Sequence, residues 1–85
     1  MEDVQNISFT STIVSSMSAS IWKITQSPGH TIKSGTEVLL ILEAMKTEIS
    51  ISAGENNVGL TIHSYGQGVK VGAMVYPGQK LVLLV

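Results

Sequence analysis

The stretch PGHTIKSGTEVLLIL, residues 28–42, recurs as VGAMVYPGQKLVLLV, residues 71–85. At a constant offset of 43, Gly29 matches Gly72, Gly35 matches Gly78 and Leu40 matches Leu83. The apolar positions correspond as well: Ile32 with Val75, Val38 with Leu81, Leu39 with Val82, Ile41 with Leu84 and Leu42 with Val85. Self-similarity at a fixed spacing marks an internal repeat, here of two half-domains. Gly29, Gly35, Gly72 and Gly78 are predicted to supply positive φ at tight turns, because glycine alone adopts it without steric cost. Upstream, Ser20–Ile24 aligns with Gly59–His63, provided that the second half carries four additional residues between Ser64 and Lys70. The centre of the repeat falls near residues 43–48. A residue at the centre is presented once per domain.

The composition sets the class. Eighty-five residues make one small domain. With no cysteine, neither disulfides nor a thiolate zinc site can supplement the core. Apolar residues make up 44% and charged residues 13%, which excludes both disorder and a charged coiled coil. Five lysines, no arginine and a net charge of −1 exclude the basic surface that a nucleic-acid partner requires. The longest apolar run, Leu81–Val85, is far too short to cross a bilayer. Glu2 and Asp3 stand where a secretory signal would carry basic residues, and with zero cysteines this fits a cytoplasmic chain.

Val, Ile and Thr supply 25 residues, and β-branched side chains favour strands. Glycines and serines punctuate short apolar runs in the rhythm of a sandwich or barrel. Strands are predicted at Ile7–Phe9, Thr12–Ser15, Ser20–Gln26, Glu37–Ala44, Thr47–Ser52, Gly59–His63, Val69–Lys70 and Lys80–Leu84. Together they make an all-β flattened barrel of two four-stranded antiparallel sheets with pseudo-two-fold symmetry. Residues 1–11 read as a partly ordered lead-in and residues 12–85 as the domain.

The repeat centre reads Glu43-Ala44-Met45-Lys46-Thr47-Glu48, between LLIL and ISIS. With Met45-Lys46 as a two-residue hairpin tip, Ala44 opposes Thr47, Glu43 opposes Glu48 and Leu42 opposes Ile49. Such turns favour Asn-Gly or Asp-Gly, since both tip residues need positive φ. Met-Lys is poor turn chemistry, and a local rule broken at the symmetry centre points to a functional site.

Glu43-Ala44-Met45-Lys46, midway between paired glycine turns, resembles the attachment motif of biotin carboxyl carrier domains over residues 12–85. The longer string from Ser16 to Ile49, with AGENNVG and YPGQ after it, is most similar to the carrier domain of urea carboxylase, as in the fungal urea amidolyases. The resemblance implies biotin carried covalently on Lys46. It implies Ala44 and Met45 as recognition elements for biotin protein ligase, with Glu43, Thr47 and Glu48 flanking the hairpin. It further implies biotin carboxylase and carboxyltransferase domains as partners, with urea as the carboxyl acceptor, ATP and bicarbonate as co-substrates, and no catalytic residue in the carrier itself. Lysine and the valeryl chain together offer about ten single bonds of roughly 1.5 Å, a reach of roughly 12–14 Å. The family pattern has prolines and a glycine where this chain reads Ser15-Ser16-Met17-Ser18-Ala19, and Asp where it has His30 and Ala73.

Alternatives stand beside this reading. A lipoyl carrier shares the fold but typically presents Asp-Lys-Ala. Carriers of acyl-CoA or pyruvate-type carboxylases share the motif. An unmodified β-sandwich interaction module would carry the motif by accident. His30 and His63 lack metal-ligand spacing and read as turn or surface residues, so no metal is expected. Glu43 and Glu48 could mimic a glycosidase pair only inside a cleft. Gly66-Gln67-Gly68 lacks the third glycine and helix of a phosphate cradle. Trp22 reads as a core or rim residue or a half-exposed anchor, and Met17 as packing beneath the hairpin.

Overall fold

The structure, a computed structural model, describes residues 9–85. Seven strands run in chain order: β1 (Ser11–Val14), β2 (Ala19–Ile24), β3 (Val38–Ala44), β4 (Thr47–Ser52), β5 (Ile62–Tyr65), β6 (Met74–Val75) and β7 (Lys80–Leu84). A single 3-10 turn at Glu55–Asn57 interrupts them, and no α-helix occurs among the described residues. Two antiparallel sheets result, of order β1-β7-β5 and β4-β3-β2-β6. The all-β double-sheet architecture is therefore as predicted. The expected strand at Ile7–Phe9 begins outside the described residues. Phe9 itself is irregular and meets the His63 ring edge-on at 5.1 Å.

The core lies between the sheets. Leu39, Leu40 and Leu42 of β3 are fully buried, as are Leu81, Val82 and Leu84 of β7. Ile21, Ile32, Ile62 and Val75 complete it. Each fully buried aliphatic side chain contributes roughly 1.5–3 kcal/mol, so these strands dominate the stability of a chain with no disulfide.

The two-fold repeat is real, but its register shifts partway. Gly29 and Gly72 both take positive φ, 97° and 91°. Gly29 N donates to Ile62 O and Ile62 N to His30 O; Gly72 N donates to Ile21 O and Ile21 N to Ala73 O. These bonds equate Ile21 with Ile62, so the second half carries two additional residues before its glycine turn rather than four. They lie in the loop holding Gly66-Gln67-Gly68. Farther on, Glu37 N donates to Ser34 O and Gln79 N to Tyr76 O, which equates Ser34 with Tyr76, an offset of 42 rather than 43. The burial of β3 and β7 obeys the same shorter offset.

Three details depart from the sequence reading. Val69–Lys70 is loop; the segment that pairs with β2 is β6, through Ala19↔Val75 and Ser20↔Met74. Its counterpart in the first half is a single bridge, Thr31↔Thr61, so one sheet holds three strands rather than four. The chain swings away at Gly59, φ 93°, and the ladder ends there. Gly35 lies in a turn but not at positive φ. It is glycine for a different reason: a Cβ there would sit 2.6 Å from the backbone nitrogen of Glu55. Gly78, at φ 85°, does meet the expectation, with Pro77 before it in the type II turn pattern.

Two side chains tie the loops down. Glu37 accepts from Lys33 N at 2.7 Å, from Ser34 N at 3.1 Å, and pairs with His30 Nε2 at 2.6 Å. The His30 hydrogen bond and the two amides hold its carboxyl below the usual carboxylate range. Gln79, at the equivalent place, accepts from Tyr76 N at 3.1 Å. Tyr65 donates its hydroxyl to Gln26 O at 2.5 Å, with Leu39 O at 3.3 Å, and joins the two sheets. Burial pushes its phenol up.

Candidate functional site

Strands β3 and β4 form the most extensive ladder, from Val38↔Ser52 to Ala44↔Thr47. The pleat directs Leu40, Leu42, Ile49 and Ile51 to the core, where Ala44 also packs. Glu43 and Glu48 face each other on the outer side, in the predicted register. The hairpin is braced from β2, where Ser20 pairs with Glu43 and its hydroxyl donates to Glu43 O at 3.3 Å.

Met45 and Lys46 alone close this hairpin. Their φ values, 52° and 64°, both lie in the left-handed region, as a type I′ turn demands. They are the only non-glycine residues with positive φ among the described residues. Met45 is 97% exposed, and Lys46 is exposed on the same tip. Among the described residues the Lys46 ammonium makes no ion pair, the one pair being His30–Glu37. The result is a primary amine on a flexible stem, standing on a rigid base of paired strands. The repeat explains why it is single: the equivalent strands of the other sheet, β7 and β1, pair as Ser11↔Leu84 and are not joined by a turn.

The site residues read from the sequence fall into two groups. Glu43, Ala44, Met45, Lys46, Thr47 and Glu48 come together on this hairpin. Gly29, Gly35, Gly72 and Gly78 lie in the loops that hold the sheets and contribute nothing to the tip. Met17 is half-buried against the core. Beside it, Ser15 Oγ donates to Met17 O at 2.7 Å and accepts from Met17 N at 3.3 Å. That hydroxyl closes the loop in which the family pattern has prolines. Trp22 sits at the irregularity of β2, 45% exposed, with Lys23 Nζ 6.0 Å from its ring centroid. Neither histidine joins a metal-ligating cluster among the described residues, and no pocket forms around the glutamate pair. Among the described residues no helix is long and apolar enough to cross a membrane. Glu37 and Tyr65 were missed by the sequence reading, although a lone Glu opening an apolar strand and a Tyr in a chain poor in aromatics were both visible. They shape the scaffold, not the tip.

A covalently held acyl group fits this geometry. It requires an unpaired, accessible amine, which the tip supplies, and no cavity.

No curated protein sequence matches the chain. Among solved structures, the urea carboxylase of Kluyveromyces lactis superposes with a TM-score of 0.73 at 25% identity, covering 88% of this chain and 6% of that one. A single-chain, multi-domain long-chain acyl-CoA carboxylase superposes with a TM-score of 0.71 at 20% identity, covering 88% of this chain and 7% of that one. This chain thus spans only a small fraction of either protein. The sequence profile of the biotin-requiring enzymes matches residues 6–84. With that match over nearly its whole length and an amine presented on a two-residue hairpin, the chain belongs to the biotin-requiring enzyme family, as a carrier domain whose cofactor is covalently bound biotin.

Proposed function

We propose that Lys46 is the biotin attachment site of this domain, residues 12–85, and that the domain serves a biotin-dependent carboxylase whose acceptor is urea. The observation that carries the attachment site is the strained Met45-Lys46 tip. Two residues are held in the left-handed region at a cost of roughly 1–2 kcal/mol each, with nothing packed against Met45. Strain of this kind at an exposed, single position is expected where function requires it.

The residues divide the work. Strands β3 and β4 hold the tip still, and all mobility resides in the arm that Lys46 begins. Glu43 and Glu48 leave the tip locally acidic once acylation removes the lysine charge. Ala44 packs on the core and fixes the base of the turn, while Met45 is free to be read by biotin protein ligase. When bound, biotin supplies a ureido nitrogen able to take up and release CO₂; the protein positions and delivers it. Loading at a biotin carboxylase site, with ATP and bicarbonate, and unloading at a carboxyltransferase site belong to the same proposal. Urea is favoured as acceptor by the 25% identity to the yeast urea carboxylase and by the resemblance of the string from Ser16 to Ile49. A cytoplasmic setting belongs to the same proposal.

The test is Lys46→Arg. Arginine preserves charge and length but cannot serve as the acyl-accepting amine. Incubated with biotin, ATP and biotin protein ligase, the wild-type chain is expected to gain one biotinyl group by intact mass, and the variant none. A biotinylated variant places the attachment elsewhere. For the acceptor, the biotinylated chain returned to its parent enzyme is expected to support ATP-dependent carboxylation of urea. Carboxylation of an acyl-CoA instead would overturn that part.

A further inference from the structure

We propose that Met45 is a site of reversible oxidation by peroxides, and that its sulfoxide blocks attachment at Lys46. The proposal rests on the carrier reading above for its consequence, but not for its chemistry. The chain has no cysteine and four methionines, so thioethers are its only oxidisable sulfur. Met1 lies outside the described residues. Met17 packs against the core. Met74 is 49% exposed, with its backbone paired in β6. Met45, 97% exposed, has open solvent on every side. Oxidation follows access, so among the described methionines a peroxide attacks here first.

The step is a two-electron oxygen transfer. The sulfur lone pair attacks one peroxide oxygen and the O–O bond breaks. One oxygen stays as the sulfoxide, and the other leaves as water, or as an alcohol from an organic peroxide. Nothing packs on Met45, and the turn is held by the β3–β4 ladder, so the domain stays folded. Oxidation of Met17, by contrast, would place a polar group against the core.

The consequence follows from adjacency. Met45 and Lys46 share a two-residue turn, so any enzyme that brings an activated acyl group to the Lys46 amine must cover Met45. A buried thioether is favourable there. A buried sulfoxide oxygen without a donor carries a desolvation penalty. Sulfoxide reductases reverse the change, which makes the tip a peroxide-responsive control on cofactor loading.

The experiment uses the 85-residue chain before biotinylation. It is treated with limiting hydrogen peroxide, mapped by peptide mass spectrometry, and assayed for biotinylation by biotin protein ligase with biotin and ATP. Met45 sulfoxide is expected to form before that of Met17 or Met74. The ligase kcat/KM is expected to fall about tenfold or more and to recover on treatment with methionine sulfoxide reductase. A Met17→Leu, Met74→Leu double variant is expected to keep the full response, with an unchanged circular dichroism spectrum after oxidation. Biotinylation of the Met45 sulfoxide at the untreated rate, loss of response in the double variant, or preferential oxidation of Met17 or Met74 would each overturn the proposal. Failure of the untreated chain to accept biotin on Lys46 is a separate result. It overturns the carrier reading and the loading control with it, while the peptide map still reports on the selectivity.

Discussion

Replacing the hairpin tip with the residues its geometry prefers, Met45→Asn with Lys46→Gly, is expected to stabilise the domain while removing the proposed attachment lysine. Both tip residues occupy the left-handed region, φ 52° and 64°, which costs a residue with a Cβ roughly 1–2 kcal/mol. Asparagine tolerates that region and glycine occupies it freely. Met45 is 97% exposed and Lys46 makes no ion pair among the described residues, so little packing is lost. Against the relief stands the larger unfolded-state entropy of glycine, about 0.4–1 kcal/mol. The balance is a gain of about 1–2 kcal/mol. At about 4–8 °C per kcal/mol for a domain of this size, the melting temperature should rise by roughly 4–16 °C. Thermal melts followed by far-ultraviolet circular dichroism, with urea midpoints as a second measure, read the change. A midpoint equal to or below wild type would show that the turn is relaxed as it stands, and would remove the argument that function, rather than folding, keeps Met-Lys at this position.

Further outcomes follow from the loops. Gly78→Val should cost roughly 1–3 kcal/mol through strain at positive φ, whereas Gly35→Ala should already destabilise through overlap with Glu55, by roughly 1–3 kcal/mol. Truncating Glu55 to alanine should rescue Gly35→Ala only in part, because the nearest obstruction includes backbone; full rescue in urea melts would contradict the geometry. The carboxyl of Glu37 is held low by His30 and two amides. Its stabilisation is therefore present above the unfolded carboxylate range and lost as the pH falls through the lowered folded value. Glu37→Gln should remove that part of the acid-induced decline, and identical pH profiles for variant and wild type would refute it. Burial raises the Tyr65 phenol, so the stability it confers is present below its unfolded value and lost as the pH rises through the raised folded one. Tyr65→Phe should flatten the alkaline limb of the stability profile, and an unchanged limb would show that the phenol does not titrate with unfolding.

Much of the site was legible in the linear chain because a hairpin is local. The apolar run LLIL and the alternating ISIS flank a short polar tip; once Met45-Lys46 is taken as a two-residue turn, Ala44↔Thr47, Glu43↔Glu48 and Leu42↔Ile49 follow, and the period of two in ISIS faces Ile49 and Ile51 inward. The repeat was legible for a similar reason, since matched glycine turns and apolar runs report one chain path used twice. What tertiary structure decided is whatever depends on bonds between distant segments. Val69, with Val71 two residues on, has the propensity of a strand, yet Met74–Val75 takes the place beside β2, because the Gly72 turn and its bond to Ile21 set where the ladder begins. The offset slips from 43 to 42 because the first half carries one more residue between its buried isoleucine and the Ser34–Glu37 turn. Gly35 reads like Gly78 in sequence, but only the approach of Glu55, twenty residues away, reveals that one is glycine for space and the other for φ. Glu37 and Tyr65 acquire their roles from carbonyls and amides that folding brings to them. Local pattern and the repeat centre thus located the hairpin whose tip bears Lys46, while the long-range backbone ladder, which no window of sequence encodes, determined how the two halves close around the core.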